Sequence, residues 1–251
     1  MKRIRKSELE PPALTAYKDR FQHAPTQQTW AKFKTQALRR NNIKDQLRHD
    51  QRGLCCYCEN TLLPDDESVE HFIARNVDHN LELEWSNFLL CCLGGERPLS
   101  EEIADGASRY EPGGTKTCGH AKLASSAIIL NPLAIPAFPR LFCVRSESSE
   151  IIADEDKCNE AGIDPLLVSD TIEKLGLQTG RLNRARQAIM ETLTLQLTED
   201  AADAPFSVDR ERRLAAEQIP KAGVLPGFFT TIRFFLGDGG EEYLQSIQYQ
   251  G

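Results

Sequence analysis

No apolar run in this 251-residue chain approaches the roughly 20 residues that a membrane-spanning helix requires. The basic opening stretch, "MKRIRKSELEPP", lacks the apolar segment of a signal peptide, so the expected location is cytoplasmic, with no membrane partner. A Gly-x-x-x-x-Gly-Lys-Ser/Thr loop is also missing, so any ATP chemistry must come from another protein. Internal repeats and long low-complexity tracts are absent, which excludes a solenoid. Excess positive charge is lacking too. A net charge of −7 argues against a protein that binds nucleic acid over its whole surface.

What charge there is lies unevenly. Residues 1–54 hold 13 Lys/Arg against 5 Asp/Glu, a balance of +8, whereas residues 55–251 hold 17 against 32, a balance of −15. The basic segment reads equally as a solvated helix face or as an arm that contacts phosphates. The length allows one large or two small domains with a real core.

Along the chain, residues 1–12 read as a flexible start ended by Pro11 and Pro12. Trp30, Phe33, Ala37, Leu38, Ile43 and Leu47 then recur at helical spacing up to a stop at Gly53, with a break expected at Asn41-Asn42. "LCCYCENTLLPDDESVEHFIAR" reads as a knuckle followed by two strands about a Pro-Asp-Asp turn. "NLELEWSNFLLCC" fits a loop leading into a helix. Residues 93–117 read as a surface insertion, and "KLASSAIILNPL" as a short helix with an extended exit. "RLFCVRSESSEIIAD" predicts a hairpin turning near Glu147–Ser149. From Asp164 onward helices are expected, the longest placing Leu182, Ala185, Ile189, Leu193 and Leu197 on one face.

Eight cysteines in an unexported chain point to metal rather than disulfides. Cys55 and Cys58 have the spacing of one arm of a tetrahedral zinc site. Cys92 and Cys118 are the expected second arm, with Cys91 and His120 as substitutes. Four protein ligands leave no open position, so the zinc is structural. Cys143 and Cys158 read as free thiols. Between the zinc arms stand Glu70, His71 and Asn87. A neutral imidazole takes a proton from water, and a carboxylate with an amide oxygen suits Mg²⁺ or Mn²⁺, which offsets phosphodiester charge. Arg48 and Arg52 are expected at the mouth of the knuckle. His79 reads as a surface residue.

Cys-x-x-Cys, then Glu-His, Asn, and cysteines ending in Cys-x-x-x-Lys resembles the HNH nuclease signature. More narrowly, "GLCCYCE", "EHF", "WSNFLLCC", "CGHAK" and "TIEKLGL…LNRAR" resemble PtuB, the HNH subunit of Septu-type and retron-linked anti-phage systems. The resemblance covers roughly residues 30–195. It implies an α+β fold, a ββα-metal finger with structural zinc set in a mostly helical protein. The implied division is a basic helical arm (1–53), a nuclease core (54–135) and a hairpin plus helical domain (136–251).

The same resemblance makes His71 the general base, Glu70 a ligand of the catalytic metal, and Asn87 a residue that holds that metal or orients His71. Lys122 matches the family's lysine and neutralises phosphate. The Cys-Asn that usually opens the final helix is Cys118-Gly119 here, which leaves His120 to complete the divalent-metal site or face the phosphate. The implied partners are a nucleic-acid substrate, an ABC/SMC-type ATPase like PtuA, and a retron reverse transcriptase with its RNA–DNA product. Two rival readings remain at this stage: a non-catalytic zinc ribbon that binds nucleic acid or protein, and a zinc hydrolase of a small substrate, which requires an open zinc position.

Overall fold

A computed structural model describes residues 1–95, 114–122, 129–199 and 207–251. Most of the expected insertion at 93–117, and residues 123–128, where the short helix of "KLASSAIILNPL" is expected, lie outside the described residues.

Three helices open the chain: α1 (Pro12–Arg20), α2 (Trp30–Phe33) and α3 (Ala37–Asp50). Pro12 at the first position starts α1, and the Thr29 side chain accepts from the Lys32 amide to cap α2. The break between α2 and α3 falls at residues 34–36, ahead of Asn41-Asn42, where the helix runs on unbroken. Gly53 does end the helical segment, at φ 79°, a conformation that a side chain would strain.

The first twelve residues are not loose. Met1 and Ile4 are buried in the core, and the Ile4 amide donates to Pro132 O at 3.0 Å. The Lys6 ammonium donates to the carbonyls of Trp85 and Phe88 and lies over the Trp85 ring. Charge had suggested a solvated tail. The apolar residues between those charges, with two free carbonyls to bind Lys6, hold the segment in place instead.

Strand β1 (Ser68–His71) pairs antiparallel with β2 (Phe88–Cys91), setting Glu70 opposite Leu89 and His71 opposite Phe88. Two expectations fail here. The segment after the knuckle supplies no partner strand, only an isolated Leu54–Thr61 bridge. "FLLC" is a strand, not the start of a helix. Phe88, Leu89, Leu90 and Cys91 are all fully buried, so the stretch carries no alternation from which its period could be read.

The second hairpin, β3 (Phe142–Val144) with β4 (Ile151–Ala153), forms where it was expected. It is followed by α4 (Glu155–Glu160), α5 (Pro165–Lys174), α6 (Gly180–Thr198), α7 (Val208–Gln218), α8 (Phe229–Phe235) and α9 (Gly237–Ser246). Asp154 and Asp164 cap α4 and α5 with their carboxylates.

Two apolar clusters hold these elements together. One gathers Leu14, Phe33, Ile43 and Leu47 of the opening helices with the cysteines, β1–β2, α5 and Leu182 of α6. The other joins Leu193 and Leu197 of α6 to α7, α8 and α9. Each fully buried Leu or Phe contributes on the order of 2 kcal/mol. Helix α6 spans both clusters, so the cysteine centre is mounted on the same beam as the C-terminal helices.

Candidate metal centre and active-site cleft

The knuckle residues Leu54–Asn60 turn back so that Cys55 N donates to Asn60 O at 2.8 Å. This brings the Cys55 and Cys58 thiols under the end of β2. Cys118 arrives from the far side with φ at 60°, its amide fixed to Leu175 O at 2.8 Å beyond α5. The sulfurs of Cys55, Cys91, Cys92 and Cys118 lie within 4.8 Å of one another, all buried, a group that could hold a zinc ion. Cys58 belongs to the same cluster, its sulfur 3.6 Å from that of Cys92.

Tetrahedral zinc with thiolate ligands places sulfurs about 3.8 Å apart. The Cys55–Cys118, Cys92–Cys118 and Cys58–Cys92 separations are 3.9, 3.7 and 3.6 Å. Cys91 is 3.9 Å from Cys55 and accepts the Gly119 amide at 3.2 Å. More sulfurs than the four a tetrahedral ion takes therefore meet here, since the buried Cys56 thiol also lies against Cys55 and Cys91. Burial pushes the Cys91 and Cys118 thiols well above their ordinary range, whereas contacts from neighbouring thiols, Cys118 first, overcome burial and hold Cys55 well below it. A buried thiolate cluster requires nearby positive charge. Arg186 of α6, fully buried, lies close enough to Cys58 and Cys118 for their charges to interact. Burial pulls its pKa down to about 10, and it remains a cation at neutral pH. Arg181, one turn earlier, donates to Gly94 O at 2.9 Å and to the Thr117 hydroxyl, clamping both strands that lead into the cysteines. The stretch "GRLNRAR" holds Arg181, Arg184 and Arg186 close together, and nothing in it shows which two are buried.

On the opposite side of β1 lies a cleft of about 460 Å³ lined by Glu70, His71, Arg75, His79, Gly119 and Lys122, among others. His71 is buried and wedged edge-on between the rings of Trp30 and Phe88, at 5.3 and 5.0 Å. Its Nε2 lies 3.0 Å from the carbonyl oxygen of Glu82. A carbonyl only accepts, so Nε2 carries the proton and Nδ1 keeps a lone pair. Burial pulls the imidazole pKa down to about 4, which keeps the ring neutral at pH 7.

Glu82 itself is tied from both ends. Its carboxylate accepts the Trp30 amide at 3.0 Å and faces His79 Nδ1 at 3.0 Å. Asn87 pins the loop between β1 and Glu82: Oδ1 accepts from Ile73 N at 2.7 Å, and Nδ2 donates to Ile73 O and Leu81 O at 3.0 and 3.1 Å.

Glu70 receives the Lys122 ammonium, which also donates to His71 O and Phe72 O at 3.0 and 2.8 Å. The Tyr57 hydroxyl is 3.3 Å from the same carboxylate. Three oxygens thus already gather around a cation, the donor set that a hard divalent ion prefers. Gly119 leaves this carboxylate room, since a Cβ there would come within 2.7 Å of Glu70 Oε2.

His71, Glu70 and Lys122 are therefore brought to one cleft, with Asn87 supporting the loop beside it. His120 lies in the turn Cys118–His120, with its Cβ against Gly94. Arg48 and Arg52 go elsewhere. Arg48 pairs with Glu67 at 2.6 Å and Asp45 at 2.8 Å, and Arg52 donates to the carbonyls of Gly223 and Pro220 at 2.9 and 2.6 Å. His79 is a surface residue, as expected, and stands at the rim of the cleft, which Arg75, given no role, also lines. Nothing in the local sequence marks Arg75, because the loop folds back onto β1 through Asn87.

Over 185 residues the chain is 31% identical to an Escherichia coli protein whose name gives it as a candidate HNH endonuclease of retron Ec83; the match spans 64% of this chain and 70% of that protein. No family model matches the chain.

Proposed function

The chain belongs to the HNH endonuclease family, and from that premise we propose that it is a divalent-metal-dependent nuclease working through His71 and Glu70. The observation that carries this reading is the buried, neutral His71, its Nε2 on the Glu82 carbonyl, beside the Glu70 carboxylate in one cleft. In this reading β1 and β2 belong to a ββα-metal finger within a nuclease core at 54–135. Cys55, Cys58, Cys92 and Cys118 hold structural zinc. The Cys55–Cys118, Cys92–Cys118 and Cys58–Cys92 separations support that set, and Cys91, which accepts Gly119 N and belongs to the four sulfurs within 4.8 Å of one another, is the alternative to Cys58.

Mg²⁺ or Mn²⁺ bound at Glu70 would offset charge on the phosphodiester and on the leaving oxygen. His71 Nδ1 takes a proton from water as the water oxygen attacks phosphorus; the P–O bond to the leaving oxygen breaks, and that oxygen is protonated by solvent. Asn87 acts by orientation. Its three backbone bonds fix the loop whose Glu82 carbonyl sets the His71 tautomer. Lys122 keeps a positive charge at the cleft for the scissile phosphate. DNA is the favoured substrate and RNA, including tRNA, the alternative. The likeness to a retron protein supports a place in anti-phage defence of the PtuB type, alongside an ABC/SMC-type ATPase.

The test is cleavage of supercoiled plasmid and of total tRNA by the purified protein in Mg²⁺ or Mn²⁺, beside His71→Ala. Cleavage lost in the variant supports the reading, and the substrate cut separates DNA from RNA. Equal cleavage by both proteins would sink it. Wild-type protein inactive alone and with the neighbouring ATPase would also sink it.

A further inference from the structure

A second cleft adjoins the first on the side of the opening helices. It is lined by Trp30, Lys34, Thr35, Arg40 and Lys44 together with Glu67, Ser68 and Val69. Val69 lines both clefts, and the Trp30 ring that walls this one packs against His71. The basic stretch behind it is unusually pure. From Arg20 to Lys44 the sequence has six Lys/Arg and no Asp or Glu, in a chain of net charge −7. Lys34 and Arg40 are exposed, and among the described residues no carboxylate pairs with either. Glu67 is the single acid in the lining, and Arg48 and Lys44 hold it at 2.6 and 3.4 Å. Three lining cations against one acid, itself also paired with Arg48, leave the cleft positive.

Resting on the nuclease reading, we infer that Lys34 and Arg40 form a phosphate-binding track, with Lys44 behind them held on Glu67, that leads a nucleic-acid strand along Val69 to Glu70 and His71. Arg48 and Arg52, the cations nearest the knuckle in sequence, are occupied within the fold, so the track is built from residues further upstream. The Trp30 ring is buried in the core and cannot stack on a base. The track therefore reads backbone, and its binding is indifferent to sequence.

The experiment is fluorescence anisotropy of labelled single-stranded DNA, duplex DNA and tRNA without added divalent metal. It compares wild type, Lys34→Glu/Arg40→Glu, and a matched control, Arg145→Glu/Lys221→Glu, whose sites lie on β3–β4 and after α7. The track predicts that the first variant raises Kd at least tenfold, equally across base sequences. It also predicts that the slope of log Kd against log salt falls by about 1.5–2, as expected for two lost phosphate contacts. The control should bind like wild type. An unchanged Kd in Lys34→Glu/Arg40→Glu overturns the inference, as does equal weakening in the control, or a wild-type protein that binds acidic peptides but no nucleic acid. Cleavage separates the two readings. If wild type cuts, His71→Ala does not, and the track variant cuts with unchanged KM, the track falls and the nuclease stands. If wild type binds through the track but cuts nothing with metal, the reverse holds.

Discussion

The carbonyl oxygen of Glu82 lies 3.0 Å from Nε2 of His71, while the carboxylate of the same residue accepts the amide of Trp30. One residue therefore fixes the tautomer of the imidazole and ties it to the first turn of α2. Removing the imidazole removes the proton acceptor, with Trp30 and Phe88 left to close around the space. His71→Ala should lose 10²–10⁴ in cleavage rate, an order-of-magnitude expectation for a general base, and keep its zinc and its circular dichroism spectrum. Loss of zinc or solubility in that variant would make His71 structural.

The same burial gives a pH signature. A folded pKa of about 4 against an ordinary 6.5 means that the unfolded chain binds the proton more readily. His71's contribution is complete above about pH 6.5, is lost as pH falls towards 4, and totals on the order of 3 kcal/mol. Denaturation midpoints between pH 7 and 4 should therefore show a pH dependence that shrinks in His71→Phe. Cleavage, where this base controls it, should be flat between pH 6 and 8 rather than titrate near 6.5.

Cys58 and Cys91 compete for the fourth position on zinc: the four sulfurs that lie within 4.8 Å of one another include Cys91, whereas the Cys-x-x-Cys spacing with Cys55 speaks for Cys58, the ligand proposed above. Cys58→Ser should release zinc and lower stability by several kcal/mol, because structural zinc sites contribute on the order of 10 kcal/mol to folding. Cys91→Ser should keep one zinc per chain. Metal content by mass spectrometry decides between them, and zinc lost from Cys91→Ser but not from Cys58→Ser would reverse the assignment.

Gly119 offers a way to disturb Glu70 without touching it. An alanine Cβ would sit 2.7 Å from Glu70 Oε2 and 3.4 Å from Cys91 Sγ, so the flexible carboxylate must move. Gly119→Ala should retain zinc and fold, yet require more Mg²⁺ and cleave at least about tenfold more slowly at fixed metal. An unchanged Mg²⁺ titration would place the divalent ion away from Glu70.

Arg186 is a buried cation whose charge interacts with those of Cys58, Glu59 and Cys118, and it donates to Leu177 O at 2.8 Å. Arg186→Met keeps much of its volume and removes the charge. A loss of about 3–5 kcal/mol is expected, as for breaking a buried ion pair, together with faster zinc transfer to a chelator. Thermal melts with and without added zinc measure both.

That the candidate residues come together was more legible in the sequence than the fold around them. Glu70, His71, Asn87 and five of the eight cysteines sit within 40 residues of one another, and their spacing is itself the signal. Phe88–Cys91 was misread because four buried apolar residues in a row look alike as helix or strand. The folded N-terminus is not legible in the sequence because Met1, Ile4 and Lys6 find their partners far along the chain: Glu59 and Thr230 for Met1, Pro132 for Ile4, and Trp85 and Phe88 for Lys6. Arg75 and His79 join the cleft through the loop that Asn87 closes, a tertiary contact that no local period encodes.

The Glu59 carboxylate, buried next to the knuckle, accepts the Thr230 amide and hydroxyl at 2.8 and 2.6 Å, and its carbonyl accepts from Phe228 N. These donors lie about 170 residues downstream. A nascent chain that has emerged only as far as α7 carries every cysteine and can pair Glu59 with the Met1 ammonium, 3.4 Å away, but the carboxylate still lacks its two Thr230 donors. Full satisfaction of this buried charge thus waits on the synthesis of α8, and a chain that stalls before it would hold the knuckle less firmly closed.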